Sequence, residues 1–259
     1  AVSTIYASYE DWIYEIGLTP NRMDAMSHYG VAKDVCAYLS YHESPVAAIS
    51  PFKKQASKDK SVAAFKVSIE DTAGCKRYSG VVIEGVTVKE SPTWLKNKLQ
   101  AIGVRSINNI VDITNYILHK TGQPLHAFDA AEIKDKTIIV KKYPTGTKFT
   151  TLDGVERTLT ANDLMISDTQ KPLCIAGVFG GLTSGVKTST TNLFLESALF
   201  ENVHIRKTSV HHGLRTDAAT RFEKGVAIDG TVLVLEHAAQ LIQELAGGKC
   251  SEVIDVYPA

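Results

Sequence analysis

Hydrophobic positions recur along this chain in two periods, one helical and one extended. The clearest helical stretch opens the segment Ser106–Asp129, SINNIVDITNYILHKTGQPLHAFD. Ile107, Ile110, Val111, Ile117 and Leu118 fall at i, i+3, i+4, i+10 and i+11, one face of a helix, with Thr114 between them. Asn108, Asp112, Asn115 and His119 make up the polar face. Gly122 follows the last periodic residue, where a left-handed cap favours a residue without a β-carbon. Pro124 then stops the helix from resuming. The chain re-emerges as a short strand on which His126 alternates with Phe128.

The same reading predicts a helix over about Ala25–Leu39, after a Thr19-Pro20-Asn21-Arg22 turn. A second runs from an N-cap Ser91 and N1 Pro92 to Gly103. Three more cover Glu201–Val210, Ala218–Lys224 and Thr231–Ala246. Strands are predicted around Phe65, Val67 and Ile69, and over Tyr78–Val88, Thr137–Lys142, Leu164–Ser167, Leu173–Val178 and Leu193–Ser197. Asp153-Gly154 marks a hairpin between Lys148–Leu152 and Val155–Leu159. Strands dominate and helices intersperse without βαβ regularity. The class is α+β, with mixed, mainly antiparallel sheets. Residues 1–45 read as a small separate unit, 46–60 as a polar, lysine-rich linker, and 61–259 as the main domain. No repeat of fixed period is visible.

Composition narrows the function classes. The chain has 259 residues, enough for a full core, and 28 basic residues balance 28 acidic ones. Zero net charge excludes a basic nucleic-acid surface over the whole chain, but not a local patch. Cys36, Cys75, Cys174 and Cys250 lie far apart with no zinc-like spacing, and read as reduced core cysteines of a cytoplasmic protein. Neither a signal peptide nor an apolar run of membrane length is present. The first residue is Ala1 rather than Met, and strand-like sequence starts almost at once, as in an excised fragment.

Four places carry candidate chemistry. Ala176-Gly177-Val178-Phe179-Gly180-Gly181 ends a strand in glycines, which let a backbone approach a ligand and expose N–H donors. Gly180–Thr188 nearly spells a phosphate loop, but Val186 stands where its lysine belongs, so a tight strand-to-strand turn is the better reading. Glu196 sits in LFLESALF, apolar on both faces. Burying an unpaired carboxylate is costly, so either this is an edge strand with Glu196 solvated, or Glu196 has a specific partner. His126 is either a hydrogen-bonded core histidine or a reactive one; no GxSxG or catalytic cysteine stands beside it. Thr216 or Asp217 caps a helix that ends at Gly225, and with Arg206, Lys207, Arg215 and Arg221 it forms either a basic rim suited to phosphates or a solvated face.

Taken together, TPNRxD at Thr19, SxNNxVDxTNY at Ser106, GQPLHAFD at Gly122, LDG at Leu152, AGVxGG at Ala176, LESA at Leu195 and GLxTDA at Gly213 resemble the β subunit of bacterial phenylalanyl-tRNA synthetase. They match its B3/B4 editing region in order over nearly the whole chain, and the first 45 residues look like the end of its B1 domain. The resemblance implies a fragment without aminoacylation or ATP sites, needing no cofactor, although the whole enzyme uses ATP and magnesium. It also implies the α subunit of an α2β2 assembly and the tyrosine-bearing 3′ end of tRNA(Phe) as partners, with neither membrane nor DNA.

The family's editing pocket maps onto Thr114, Asn115, His126, Ala176, Gly177, Glu196, Thr216 and Ala218, none departing from the pattern. Phe179 stands where many relatives look to have methionine. The implied reaction is hydrolysis of mischarged Tyr-tRNA(Phe). A pocket built for Phe rejects an added hydroxyl only about 10²-fold, so a second site must select for that hydroxyl. Glu196 would accept the phenol hydrogen and the Gly177 N–H would donate to the same oxygen, while His126 and Asn115 would orient a water or the terminal ribose. A noncatalytic RNA-binding or interaction module of the same fold is the alternative.

Overall fold

The computed structural model describes residues 11–52 and 55–257. Residues 1–10 of the N-terminal unit and 53–54 of the linker lie outside the described residues. After a 3-10 turn at Met23–Ala25, α1 spans His28–His42, three residues later at each end than predicted. Ser27 supplies its cap, accepting from the Gly30 N–H at 3.0 Å.

Three layers follow. The central sheet has the order β11–β2–β10–β3, with β12 also on β2: β2 is Cys75–Glu84, β3 Leu125–Asp129, β10 Asn192–Phe200, β11 Lys249–Cys250 and β12 Ile254–Val256. The outer sheet has the order β1–β4–β7–β8–β9: Lys66–Ile69, Thr137–Lys142, Leu164–Ser167, Pro172–Ile175 and Phe179–Gly180. Among the described strands β1 and β4 pair in parallel and the other pairs are antiparallel, so the α+β, mainly antiparallel class holds. The hairpin of β5 (Lys148–Thr150) and β6 (Glu156–Thr158) forms a separate two-stranded sheet, bridged to the glycine turn between Thr151 and Gly181, with Gly154 at φ 78° in its turn.

Helices α2 (Thr93–Ala101), α3 (Asn109–Thr121) and α6 (Gly230–Ala246) form the third layer. Leu193, Leu195, Val81 and Ile83 face them, packing on Ile110, Ile113, Ile117, Leu235 and Ile242. Phe194, Ala198, Phe200, Tyr78 and Phe128 point the other way, into the core shared with the outer sheet. The central sheet is thus buried on both faces, which is why β10 carries apolar residues on both of its faces. Helices α4 (Asn202–His212) and α5 (Asp217–Lys224) close one end of the inter-sheet core through Ile205, Ala219 and Phe222.

Three predicted details change. Ser91 does not cap α2; Pro92 holds the N-cap position, and the Ser91 hydroxyl donates to Asp112. Asp112 is fully buried rather than on a solvated face, accepting also from the Ser106 hydroxyl and from the Ile107 N–H at 2.8 Å. Ile107 precedes α3 and is 65% exposed. The rest of that segment folds as its sequence indicates: Asn108 caps α3, and Gly122 ends it at φ 86°.

Candidate functional site

The site is built on the middle of β10. This strand lies between β2 and β3, so Glu196 is not on an edge, and the solvated reading falls. Glu196 stands opposite Gly80 on β2 and opposite His126 on β3. Gly80 offers no side chain; a β-carbon there would lie 2.3 Å from the Phe194 ring. The partner comes instead from the diagonal position, which long side chains can span. Tyr78, fully buried, donates its hydroxyl to Glu196 Oε2 at 2.6 Å. Burial raises the Glu196 carboxyl to about 8, and the Tyr78 hydrogen bond only partly offsets it. Oε1 makes no hydrogen bond among the described residues.

His126 projects into the same inter-sheet layer. Its ring meets Phe128 edge-on at 4.4 Å, and a β-carbon on Gly180 would touch its Cε1 at 3.3 Å. The residue is half-buried, but Nε2 is shut off from solvent and has no hydrogen-bond partner among the described residues. It is therefore not the satisfied core histidine of the blander reading. Desolvation lowers its pKa to about 4, leaving the imidazole neutral at pH 7.

The glycine turn borders the same core. Ala176 is buried, and Gly177 takes φ 67° in a space where a β-carbon would lie 2.8–2.9 Å from Phe200, Ile205 and Phe222. The Gly177 N–H makes no hydrogen bond among the described residues, so it is available as a donor. Thr216 caps α5 by accepting from the Ala219 N–H at 3.1 Å, and its hydroxyl donates to the Val178 carbonyl at 2.9 Å, tying α5 to the turn. Ala218 packs against the core beside it. No helix follows Gly180–Thr188, so a phosphate loop is ruled out: Gly181 N–H goes to the Leu173 carbonyl and the segment leads as a loop into β10.

Six of the eight expected residues, His126, Ala176, Gly177, Glu196, Thr216 and Ala218, thus border one layer. Thr114 and Asn115 sit on α3 in the helical layer. The Thr114 hydroxyl returns to the Val111 carbonyl at 2.7 Å, and no described hydrogen bond joins either residue to His126 or Glu196. The link between α3 and α5 is His119, 3.9 Å from Asp217. Of the basic rim, Arg221 is held by Asp217 at 2.9 Å, while Arg206, Lys207 and Arg215 are exposed.

Two residues escape a reading of the sequence. Tyr78 is one apolar-face residue among several on β2. Gln123 looks like part of a turn, yet its buried amide donates to the Ala198 carbonyl at 2.8 Å and pins the α3–β3 corner to β10. Both meet partners more than 70 residues away, which no local pattern records.

Among the described residues no group of His, Cys, Asp and Glu is arranged to hold a metal, and no helix is long and apolar enough to cross a membrane. All four cysteines are free.

Over 250 residues the chain is 52% identical to the phenylalanine–tRNA ligase beta subunit of Bacteroides fragilis, covering 96% of this chain and 30% of that protein. It is 51% identical over 248 residues to the same subunit of Porphyromonas gingivalis, covering 95% and 30%. The chain therefore spans about 30% of the length of the curated relatives it matches. A crystal structure of an N-terminal fragment of the phenylalanyl-tRNA synthetase beta-subunit from Pyrococcus horikoshii aligns with TM-score 0.50 and 16% identity, over 93% of this chain and 65% of that one, a likeness of fold. The B3/4 domain model matches residues 74–247, a span that holds Glu196, Tyr78, His126, the glycine turn and Thr216, and the chain belongs to the B3/4 domain family.

Proposed function

We propose that this chain is the editing module of a phenylalanine–tRNA ligase beta subunit and hydrolyses the ester of mischarged Tyr-tRNA(Phe). The observation that carries this reading is Glu196, a carboxylate in the inter-sheet core with one oxygen free of protein partners and an unsatisfied histidine directly across the strand pair. A site built to pair with a substrate hydroxyl rejects the analogue lacking it by about 10⁴- to 10⁵-fold, because its buried polar group is left unpaired. The free Glu196 oxygen and the Gly177 N–H are suited to that hydroxyl. An aminoacyl ester is already activated, so placing a water against it contributes much of the rate. A base works best with a pKa near the operating pH, and His126, lowered to about 4, is a weak one. Its role in this reading is to position the water or ribose, the role the resemblance also gives Asn115.

The whole ligase, with its α subunit, ATP and magnesium, is the cytoplasmic setting this reading implies; the module needs no cofactor of its own. Deacylation of Tyr-tRNA(Phe) and Phe-tRNA(Phe) by the full-length ligase and its Glu196→Ala variant tests it. The variant should lose its preference for the tyrosyl ester. Unchanged selectivity would remove Glu196 from the role. A second reading, a noncatalytic RNA-binding module, is favoured by one observation: the Tyr78 phenol already sits on Glu196. It predicts no deacylation above background with either ester.

A further inference from the structure

We propose that Tyr78 is the positioning residue for hydroxyl selection: its phenol holds one oxygen of Glu196 and so dedicates the other to the substrate. The inference rests on the editing reading above and adds to it a residue outside the expected pocket set.

The geometry separates the two carboxylate oxygens. Oε2 receives the Tyr78 hydroxyl at 2.6 Å, and Oε1 receives nothing from the described residues. The phenol cannot easily shift. Tyr78 is fully buried, stacked 6.5 Å from Phe194 at 17° between ring planes, and Phe65 stacks on that same ring at 5.5 Å. Gly80 brings no side chain to the directly opposite position, where the Phe194 ring lies instead, so the hydroxyl arrives along the diagonal from Tyr78. A carboxylate with one oxygen anchored presents the other in one direction, which is the requirement for reading a hydroxyl rather than merely tolerating it.

Tyr78 also changes what exclusion of Phe means. Glu196 is not stripped of partners when a phenylalanyl ester enters; it keeps one hydrogen bond. Selection then depends on Oε1 alone and on the carboxyl being ionised when the phenol arrives. The groups facing Glu196 are Tyr78 and Cys75 on β2, His126 on β3 and Cys174 on β8. Both thiols are driven well above their ordinary range, by burial first and then by Glu196, and the imidazole is neutral, so among the described residues no cation acts on the carboxyl. The Tyr78 hydroxyl is the one neighbour that favours the ionised form.

The test measures deacylation of both esters by the full-length ligase against pH, for wild type, Tyr78→Phe and Glu196→Gln. Tyr78→Phe keeps the ring and its packing. It should lower the Tyr-over-Phe ratio about tenfold at neutral pH, the scale of one hydrogen bond to a charged group. It should also move the rising limb of the tyrosyl rate to higher pH. Site-specific 3-fluorotyrosine at position 78, a stronger donor of nearly the same shape, should move that limb the other way, and it answers the question should Tyr78→Phe fold poorly. If Glu196→Gln loses selectivity while both Tyr78 replacements leave ratio and limb unchanged, the role of Tyr78 is overturned and the editing reading stands. If Glu196→Gln is itself as selective as wild type, the reading of Glu196 falls and the role of Tyr78 with it.

Discussion

Glu196 and His126 are direct cross-strand partners in the antiparallel pairing of β10 with β3, and both face the core between the two sheets. Burial moves them in opposite directions, the carboxyl up to about 8 and the imidazole down to about 4. Each is pushed toward its neutral form, so the pair is not an ion pair at neutral pH, and no hydrogen bond joins the two side chains. A site held this way carries a pH signature in stability as well as in chemistry.

For Glu196 the native carboxyl holds its proton to higher pH than the unfolded one. Its contribution to stability is fully present below the ordinary 4.5 and is lost as pH rises through about 8. At about 1.4 kcal/mol per pH unit, that interval amounts to at most about 5 kcal/mol. Glu196→Gln removes the ionisation and should gain stability relative to wild type steadily between those two pH values. Denaturant unfolding at several pH values measures the difference, and a gap that stays constant with pH would refute the buried, shifted carboxyl.

His126 should behave in the mirror sense. Its folded pKa lies below the ordinary 6.5, so the stability it contributes is present above 6.5 and is lost as pH falls toward about 4. In NMR titration its ring signals should move only near the lower value. A midpoint close to 6.5 would mean that Nε2 is in contact with solvent.

The glycine turn gives a contrast between strain and space. Gly177 has φ 67° and is hemmed in by Phe200, Ile205 and Phe222, whereas Gly85, at φ 78°, has nothing within 4 Å of its would-be β-carbon. Gly85→Ala should cost only the left-handed backbone strain, about 1 kcal/mol. Gly177→Ala adds overpacking and should cost about 2–4 kcal/mol. Equal losses for the two, read from thermal unfolding, would show that the apolar collar around Gly177 is not tight.

Much of this layout was legible in the sequence. The α3 segment announced its left-handed cap at Gly122 and its strand at His126; Asp153-Gly154 announced the hairpin; Thr216 announced a cap. Those signals are local, because a cap, a turn or a periodic face is written within a few residues. What was not legible depends on pairings far along the chain. Whether Glu196 was solvated or partnered turned on β10 being central rather than at an edge. The identity of its partner turned on the register that sets Tyr78 diagonal to it. Asp112 was misplaced for a related reason: helical periodicity assigns a face, but Ser91 and Ser106 arrive from outside the helix and cover that face.

Asp112 therefore makes a test of how the α2–α3 corner is held. It is fully buried, it accepts from the Ser91 and Ser106 hydroxyls and from the Ile107 N–H at 2.8 Å, and it lies one turn into the helix that leads to His126. Removing a shared acceptor leaves every donor unsatisfied, while removing one donor leaves the acceptor with the others. Asp112→Ala should thus cost about 3 kcal/mol or more, against about 1–2 kcal/mol for Ser91→Ala or Ser106→Ala alone. The two serine losses should not add independently, because both hydroxyls share Oδ2. A double-mutant cycle on Ser91 and Ser106, read by denaturant unfolding, should return a coupling energy of at least about 0.5 kcal/mol. Strict additivity would mean that the two hydroxyls do not meet on one oxygen, and that the corner carrying α3 toward β3 is held by packing alone.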